Sequence, residues 1–271
     1  MTRELARLEL ELAADRPDIV SRLRAAGCVF AEDEARLLIA AARTPDELDA
    51  MVARRASGLP LEHVVGWAEF CGLRITVTPG VFVPRWRTEF LVGQAIALTR
   101  PGDVIADVCC GAGAIGIAVA AATERAELHA ADIDPAAVGC ARQNVAAFLG
   151  PRGHVYSGDL YEPLPRELRG RIAVLVANVP YVPTGEISLL PAEARAHEPL
   201  TALDGGPDGL DVLRRVAAGA PGWLAPAGHL LIETSERQVP AAETAFTASG
   251  LSTRVVSSAD LGATVVIGES Q

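Results

Sequence analysis

The chain lacks lysine altogether. All 24 of its basic residues are arginine, a compositional bias that carries no functional message by itself. Positive charge is also scarce overall, with 24 basic against 34 acidic residues and a formal net charge of -10. A protein that wraps nucleic acid presents a basic face, so no direct nucleic acid binding is expected. No window reaches the roughly 18 consecutive apolar residues of a membrane span, so no membrane role is expected either. The opening residues include Arg3, Glu4, Arg7 and Glu9, the wrong chemistry for a secretory signal. The cysteines (Cys28, Cys71, Cys109, Cys110 and Cys140) are odd in number and show no C-x-x-C spacing. That argues against a disulfide framework and for a reducing cytoplasmic setting. The histidines are scattered, with no pair at metal-ligand spacing on a predicted helix, so no metal is expected. Internal repeats and low-complexity tracts are absent as well.

What remains is globular: 271 residues, 50% hydrophobic and 21% charged, enough for one large domain or two modest ones. The first sixty residues differ from the rest. Leu5, Leu8 and Leu12, then Ile19, Val20 and Leu23, then Leu37, Leu38 and Ala41 recur at three- and four-residue spacing, as amphipathic helices require. Thr44-Pro45-Asp46-Glu47 reads as a helix start, with Thr at the N-cap and acids in the first turn, opening a helix through Arg55 that ends near Gly58. Residues 1–65 are therefore expected to form a helical bundle. Such a bundle either caps a catalytic domain or recognises the substrate, and periodicity alone favours neither. Residues 66–100 form a connecting segment. Here Trp67-Ala68-Glu69-Phe70 and Leu73-Arg74-Ile75-Thr76-Val77 flank Cys71-Gly72 as a β-hairpin, followed by a helix from about residue 88 to 99.

Across residues 101–271 strands and helices alternate. Strands are expected at 103–107, 128–132, 153–156, 172–177 and 228–233, and helices at 114–123, 135–147, 208–220 and 238–249. Ser252–Val256 and Thr264–Ile267 are expected to close the sheet as an antiparallel pair. The fold class is α/β, a Rossmann-like doubly wound sheet whose ligands sit at the carboxyl ends of its strands.

Three places carry chemistry. The run Asp107-Val108-Cys109-Cys110-Gly111-Ala112-Gly113-Ala114-Ile115-Gly116 is a strand end, a small-residue loop and a helix start. Gly111 and Gly113 let the backbone approach a ligand and take positive φ. The loop even matches the dinucleotide G-x-G-x-x-G spacing. A carboxylate at Asp107, however, would repel a pyrophosphate and suits the ammonium of S-adenosylmethionine, so the methyl donor is preferred. Small residues filling a tight loop explain Cys109 and Cys110 better than redox chemistry does. Asp132 ends the next strand where a ribose-binding acid belongs, and Asp134-Pro135 caps the following helix. After the third strand, Asp159 accepts from an adenine amino group or is simply a turn acid, and Leu160 packs on the ring.

The third place is Asn178-Val179-Pro180-Tyr181, directly after the apolar strand Ile172-Ala173-Val174-Leu175-Val176. A carboxamide oxygen at Asn178 and a backbone carbonyl at Val179 can accept both hydrogens of a planar NH2 group, with the ring of Tyr181 against its face. Such a clamp aims the nitrogen at an electrophile, and an activated methyl group makes the protein an N-methyltransferase.

Taken together these segments resemble the glutamine N5-methyltransferases of the HemK type, over nearly the whole chain. Phe82-Val83-Pro84-Arg85-Trp86-Arg87-Thr88-Glu89 resembles the family's segment before its first methyltransferase helix. Asp107 to Gly116 resembles its donor loop, and Ala131-Asp132-Ile133-Asp134-Pro135 its ribose strand. Ala202-Leu203-Asp204-Gly205-Gly206-Pro207-Asp208-Gly209-Leu210-Asp211 resembles the segment after its active site. The resemblance implies an N-terminal helical bundle on a class I methyltransferase domain, S-adenosylmethionine as cofactor and a peptide chain release factor as the protein partner. It implies donor contacts from Asp107, Cys109, Gly111, Gly113, Asp132, Asp159, Leu160 and Asn178, with Asn178, Pro180 and Tyr181 catalytic and Val179 in the substrate clamp. The chain departs from the family where proline would precede Pro180 and is Val179, and where glycine would stand at Cys109. Its segment Asp260-Leu261-Gly262-Ala263-Thr264 lacks the arginine many members carry there. It resembles a divergent member. The rivals are an adenine N6-methyltransferase acting on DNA or RNA, a small-molecule N-methyltransferase and a non-catalytic paralogue that only binds the donor.

Overall fold

The computed structural model describes residues 16–271, so the repeat of Leu5, Leu8 and Leu12 lies outside the described residues. Two compact units are present. The smaller comprises the described residues up to Trp67 together with Pro191–His197, and the larger comprises Ala68–Leu190 with Glu198–Gln271.

In the smaller unit, α1 (Arg16–Ala25), α2 (Ala31–Ala41), α3 (Pro45–Ala56) and α4 (Leu61–Val65) bury Leu23, Leu38 and Val52 from their apolar stripes. The Thr44 hydroxyl accepts from the Glu47 amide at 3.1 Å, and Pro45 occupies the first helical position. A two-armed ion pair runs through this unit. Arg55 Nε and Nη2 meet the Glu34 carboxylate at 2.6 and 3.0 Å, and Nη1 reaches the Leu59 carbonyl at 3.0 Å and Glu193 at 3.4 Å. Arg55 thereby ties the short helix Ala192–His197 to the bundle.

The larger unit opens with the hairpin β1 (Trp67–Phe70) and β2 (Leu73–Thr76), followed by α5 (Glu89–Leu98). Alternation then produces β3 (Val104–Val108), α6 (Ala114–Ala122), β4 (Glu127–Asp132), α7 (Pro135–Phe148), β5 (Gly153–Ser157), β6 (Ile172–Ala177), α8 (Asp211–Gly219), β7 (Leu224–Thr234), α9 (Val239–Ala248), β8 (Ser252–Ser258) and β9 (Ala263–Glu269). The sheet order is β5-β4-β3-β6-β7-β9-β8. Strands β3 to β7 pair in parallel, while β9 runs antiparallel to both β7 and β8. Because successive side chains point to opposite faces, Ile105, Val174 and Leu231 pack under α5, α6 and α7. Ala106, Leu175 and Ile232 pack under α8 and α9.

Most expected elements begin and end within a residue or two of their places. Two differ. The strand expected at 228–233 starts earlier, at Leu224, because Leu224 pairs with Ile172 before the register shifts and resumes at His229. The helix expected at 208–220 starts only at Asp211, because Asp208 turns back to accept from the Leu210 amide at 3.1 Å.

One buried side chain joins the hairpin to the loop after β3. Asn144 of α7 accepts from Thr76 N at 2.9 Å and donates to Thr76 O and Ala112 O, each at 2.9 Å. Asn144→Ala leaves the buried Ala112 carbonyl and the Thr76 backbone without these partners. Urea unfolding should then show a loss of about 1–3 kcal/mol, with unchanged slope; wild-type stability would mean that the three bonds are dispensable.

Candidate active site

The loop after β3 is held by two carboxylates. Asp107, fully buried in β3, accepts from Gly116 N at 2.9 Å and so pins the start of α6 to the strand. The approach is close: a Cβ on Gly116 would sit 2.6 Å from Leu128 Cδ1 and 2.9 Å from the Asp107 carboxylate, so only glycine fits. Asp132, at the end of β4, accepts from Gly111 N at 2.8 Å through Oδ2 and from Asp134 N at 2.9 Å through Oδ1. Gly111 and Gly113 both take positive φ, 54° and 79°. Asp134 caps α7 by accepting from Ala136 N at 2.8 Å.

This loop is electronegative. Burial foremost, then the charges of Asp132, Asp107 and Asp159, pushes the Cys109 thiol up, and Cys110 is pushed up in the same way, so neither is a ready thiolate. A pyrophosphate placed here would face three carboxylates, whereas a cationic ligand is attracted. The remaining capacity fits a donor that carries an ammonium and a sulfonium. Asp107 Oδ1, Thr88 Oγ1 and Glu233 Oε2 are buried side-chain oxygens with no protein partner among the described residues. Asp107 and Glu233 share the strand parity of Ile105 and Leu231, so both point to the face under α5 and α6. Asp132 keeps lone pairs for two ribose hydroxyls after its two backbone bonds.

At the adenine end, Asp159 Oδ2 is paired with Arg215 Nη2 at 2.5 Å, and its Oδ1 keeps the capacity to accept from an amino group. Leu160 is buried in the core at a φ of 49°. Ile133, directly after Asp132, is an accessible apolar side chain, 59% exposed.

Asn178 follows β6 at its carboxyl end, half-buried, and its carboxamide has no hydrogen-bond partner among the described residues. The side chains that follow it are committed. Val179 and Pro180 are buried, and Val179 packs in the core. Gln238 Nε2 donates to Tyr181 O at 2.9 Å and to Asp208 O at 3.1 Å. Val182 N donates to Leu203 O at 3.0 Å, Gly205 N to Val182 O at 2.9 Å, and Thr184 N to Gly206 O at 2.9 Å. The segment Ala202–Asp211 is thus a strap laced to Val182 and Thr184, directly after the tetrapeptide. The Tyr181 hydroxyl accepts from Arg87 Nη2, and Arg87 Nε donates to Glu233 Oε1 at 3.1 Å. Arg85 pairs with the buried Glu198, which also accepts from Val83 N at 3.4 Å.

The structure therefore places the expected residues at or after the carboxyl ends of β3, β4, β5 and β6. Arg87, Thr88, Glu233, Gln238 and Ile133 were not singled out by pattern. Glu233 had a visible signal: it interrupts the apolar run Leu230-Leu231-Ile232 near the end of a strand.

Comparison with known proteins places these features. Residues 73–194 match the family model described as "Methyltransferase small domain". A release factor glutamine methyltransferase of Geobacter sulfurreducens is 39% identical over 70% of this chain and 66% of its own length. Its counterpart in Mycolicibacterium smegmatis is 39% identical over 84% of this chain and 82% of its own length. A methyltransferase structure from Pyrococcus furiosus, 15% identical, superimposes with a TM-score of 0.56 over 73% of this chain and 89% of its own, which speaks for the fold alone.

Burial pushes the Asp107 carboxyl up to about 7, against the pull of the Gly116 amide. An aspartate in the unfolded chain ionises near pH ~3.9. Between these values the folded state holds a proton that the unfolded state has lost, so stability falls as the pH rises through that window and levels off above it. Urea unfolding at a series of pH values should show this decline in the wild type and a flatter profile in Asp107→Asn; parallel profiles would remove Asp107 from the linkage.

Proposed function

Because this chain belongs to the release factor glutamine methyltransferase family, we propose that it transfers a methyl group from S-adenosylmethionine to the side-chain amide nitrogen of a glutamine in a peptide chain release factor. The observation that carries the reading is the unpartnered Asn178 carboxamide at the end of β6, beside a loop ringed by carboxylates.

When bound, S-adenosylmethionine supplies a methyl group on a positively charged sulfur, so that the amide nitrogen gains the methyl, the sulfur keeps the bonding pair, and one N–H proton is released. Asp132 would hold the ribose, Asp107, Thr88 and Glu233 the ammonium end, and Ile133 the adenine face. An amide nitrogen is a weak nucleophile because its lone pair is delocalised, so the protein's contribution is orientation. Asn178 Oδ1 and the Val179 carbonyl, which accepts no backbone bond among the described residues, take the two amide hydrogens. Tyr181 lies against the amide plane, its hydroxyl fixed by Arg87. Holding nucleophile and methyl carbon in line can lower the barrier by about 7–11 kcal/mol in favourable cases.

The smaller unit would read the protein substrate. Val29 and Phe30, between α1 and α2, are 84% and 68% exposed, apolar side chains of the kind a protein partner covers. The charge of -10 supports a protein over a nucleic acid substrate. No described helix is long and apolar enough to cross a membrane. The five free thiols suit a reducing cytoplasm.

Incubation with labelled donor and purified release factors, followed by peptide mass spectrometry, should locate the label on a glutamine. Label confined to nucleic acid would overturn the reading. Asn178→Ala should lower transfer by about 10²-fold or more while calorimetric donor affinity stays near wild type. Equal loss of both would assign Asn178 to the donor instead.

A further inference from the structure

Two of the histidines that show no helical ligand spacing meet across the sheet. His129 of β4 and His154 of β5 are register partners, with rings stacked at 4.9 Å between centroids and 22° between planes. Glu127 lies two residues before His129 and so on the same face of β4. Its Oε1 is 3.1 Å from His129 Nε2 and 3.3 Å from His154 Nε2, and the three ligand atoms all lie within 4.8 Å of one another.

We propose that Glu127, His129 and His154 form a binding site for a divalent transition-metal ion that clips the edge strand β5 to β4. An ion about 2.0–2.2 Å from each nitrogen and oxygen sets neighbouring ligand atoms roughly 3–3.5 Å apart, which the two nitrogen–oxygen separations match. Two imidazoles and one carboxylate are the ligand chemistry of zinc, cobalt or nickel rather than of calcium or magnesium. The surroundings fit as well. The Tyr156 hydroxyl lies 3.0 Å from His129 Nδ1, its ring stacked 5.9 Å away. With the phenol oxygen accepting from Nδ1–H, the Nε2 lone pair faces Glu127 and His154. Burial foremost holds the His129 imidazole below its ordinary range, and Arg171 and His154 add to this against Glu127, which favours the neutral ligand form. Glu127 and His154 are half-exposed, so an ion can enter and keep water in its remaining positions.

The site is separate from the donor site. Glu127 and His129 lie five and three residues before Asp132, roughly 16 and 10 Å away along the strand. The competing arrangement is a carboxylate accepting from two imidazole N–H groups, with Tyr156 donating to Nδ1 and no ion involved. Titration of the full chain with cobalt(II), after treatment with chelator, separates the two by absorption spectroscopy. The expected result is one ion per chain with a ligand-field spectrum lacking thiolate charge transfer. Affinity should fall at least about tenfold in His154→Ala and Glu127→Gln, both at half-exposed positions that leave the core intact, and about ten- to a hundredfold in Tyr156→Phe. No saturable spectrum, a thiolate band, or unchanged affinity in His154→Ala would overturn the proposal.

Discussion

The architecture of the site depends on two acids accepting hydrogen bonds from backbone amides. Asp107 reaches forward to Gly116 and Asp132 reaches back to Gly111, so that the loop between β3 and α6 is stitched from both ends. A carboxylate that accepts from backbone N–H groups orders a loop at little entropic cost, because the acids themselves stand on strands. Charge follows from that geometry. The same acids that shape the loop make it hostile to phosphate and receptive to a cation. Stitching and selectivity come from one pair of side chains.

The acceptor side follows the opposite logic. In a folded protein nearly every polar group at half-buried depth finds a partner. Around Asn178 the structure ties down the Tyr181 side chain and the Val182 backbone, and among the described residues it leaves the Asn178 carboxamide and the Val179 carbonyl open. Tyr181 is held through its carbonyl by Gln238 and through its hydroxyl by Arg87. Val182 is laced to Leu203 and Gly205. A group kept unpaired inside such a rigid surround does not need to reorganise when a planar amide arrives.

Much of this was legible in the sequence, and the limits are physical. Asp107, Asp132 and Asn178 announce themselves because a polar residue at the end of an apolar strand has few structural excuses. Helices and strands followed from period alone, and the Thr44 and Asp134 caps from local chemistry. Cross-chain partners did not. Nothing near Arg87 in sequence says that it reaches Tyr181 and Glu233, 94 and 146 residues away. Arg215 likewise claims Asp159 across 56 residues. The histidines show the same limit: His129 and His154 are made neighbours by strand register, which no spacing along one helix displays.

Val179 brings these threads together. The resemblance set proline at this position, and proline would fix φ without help from its surroundings. Here the isopropyl group is buried in the core formed by Leu175, Leu210 and Ile232, so packing takes over the restraint that a ring would have supplied. The strap from Leu203 to Gly206 restrains the chain just beyond it. The two ways of holding a carbonyl differ in where the entropy is lost. Proline removes freedom from the unfolded chain, whereas a packed valine loses it on folding and recovers it as buried area. The orientation of the Val179 carbonyl is therefore a property of the folded core, and it will loosen with that core rather than independently of it.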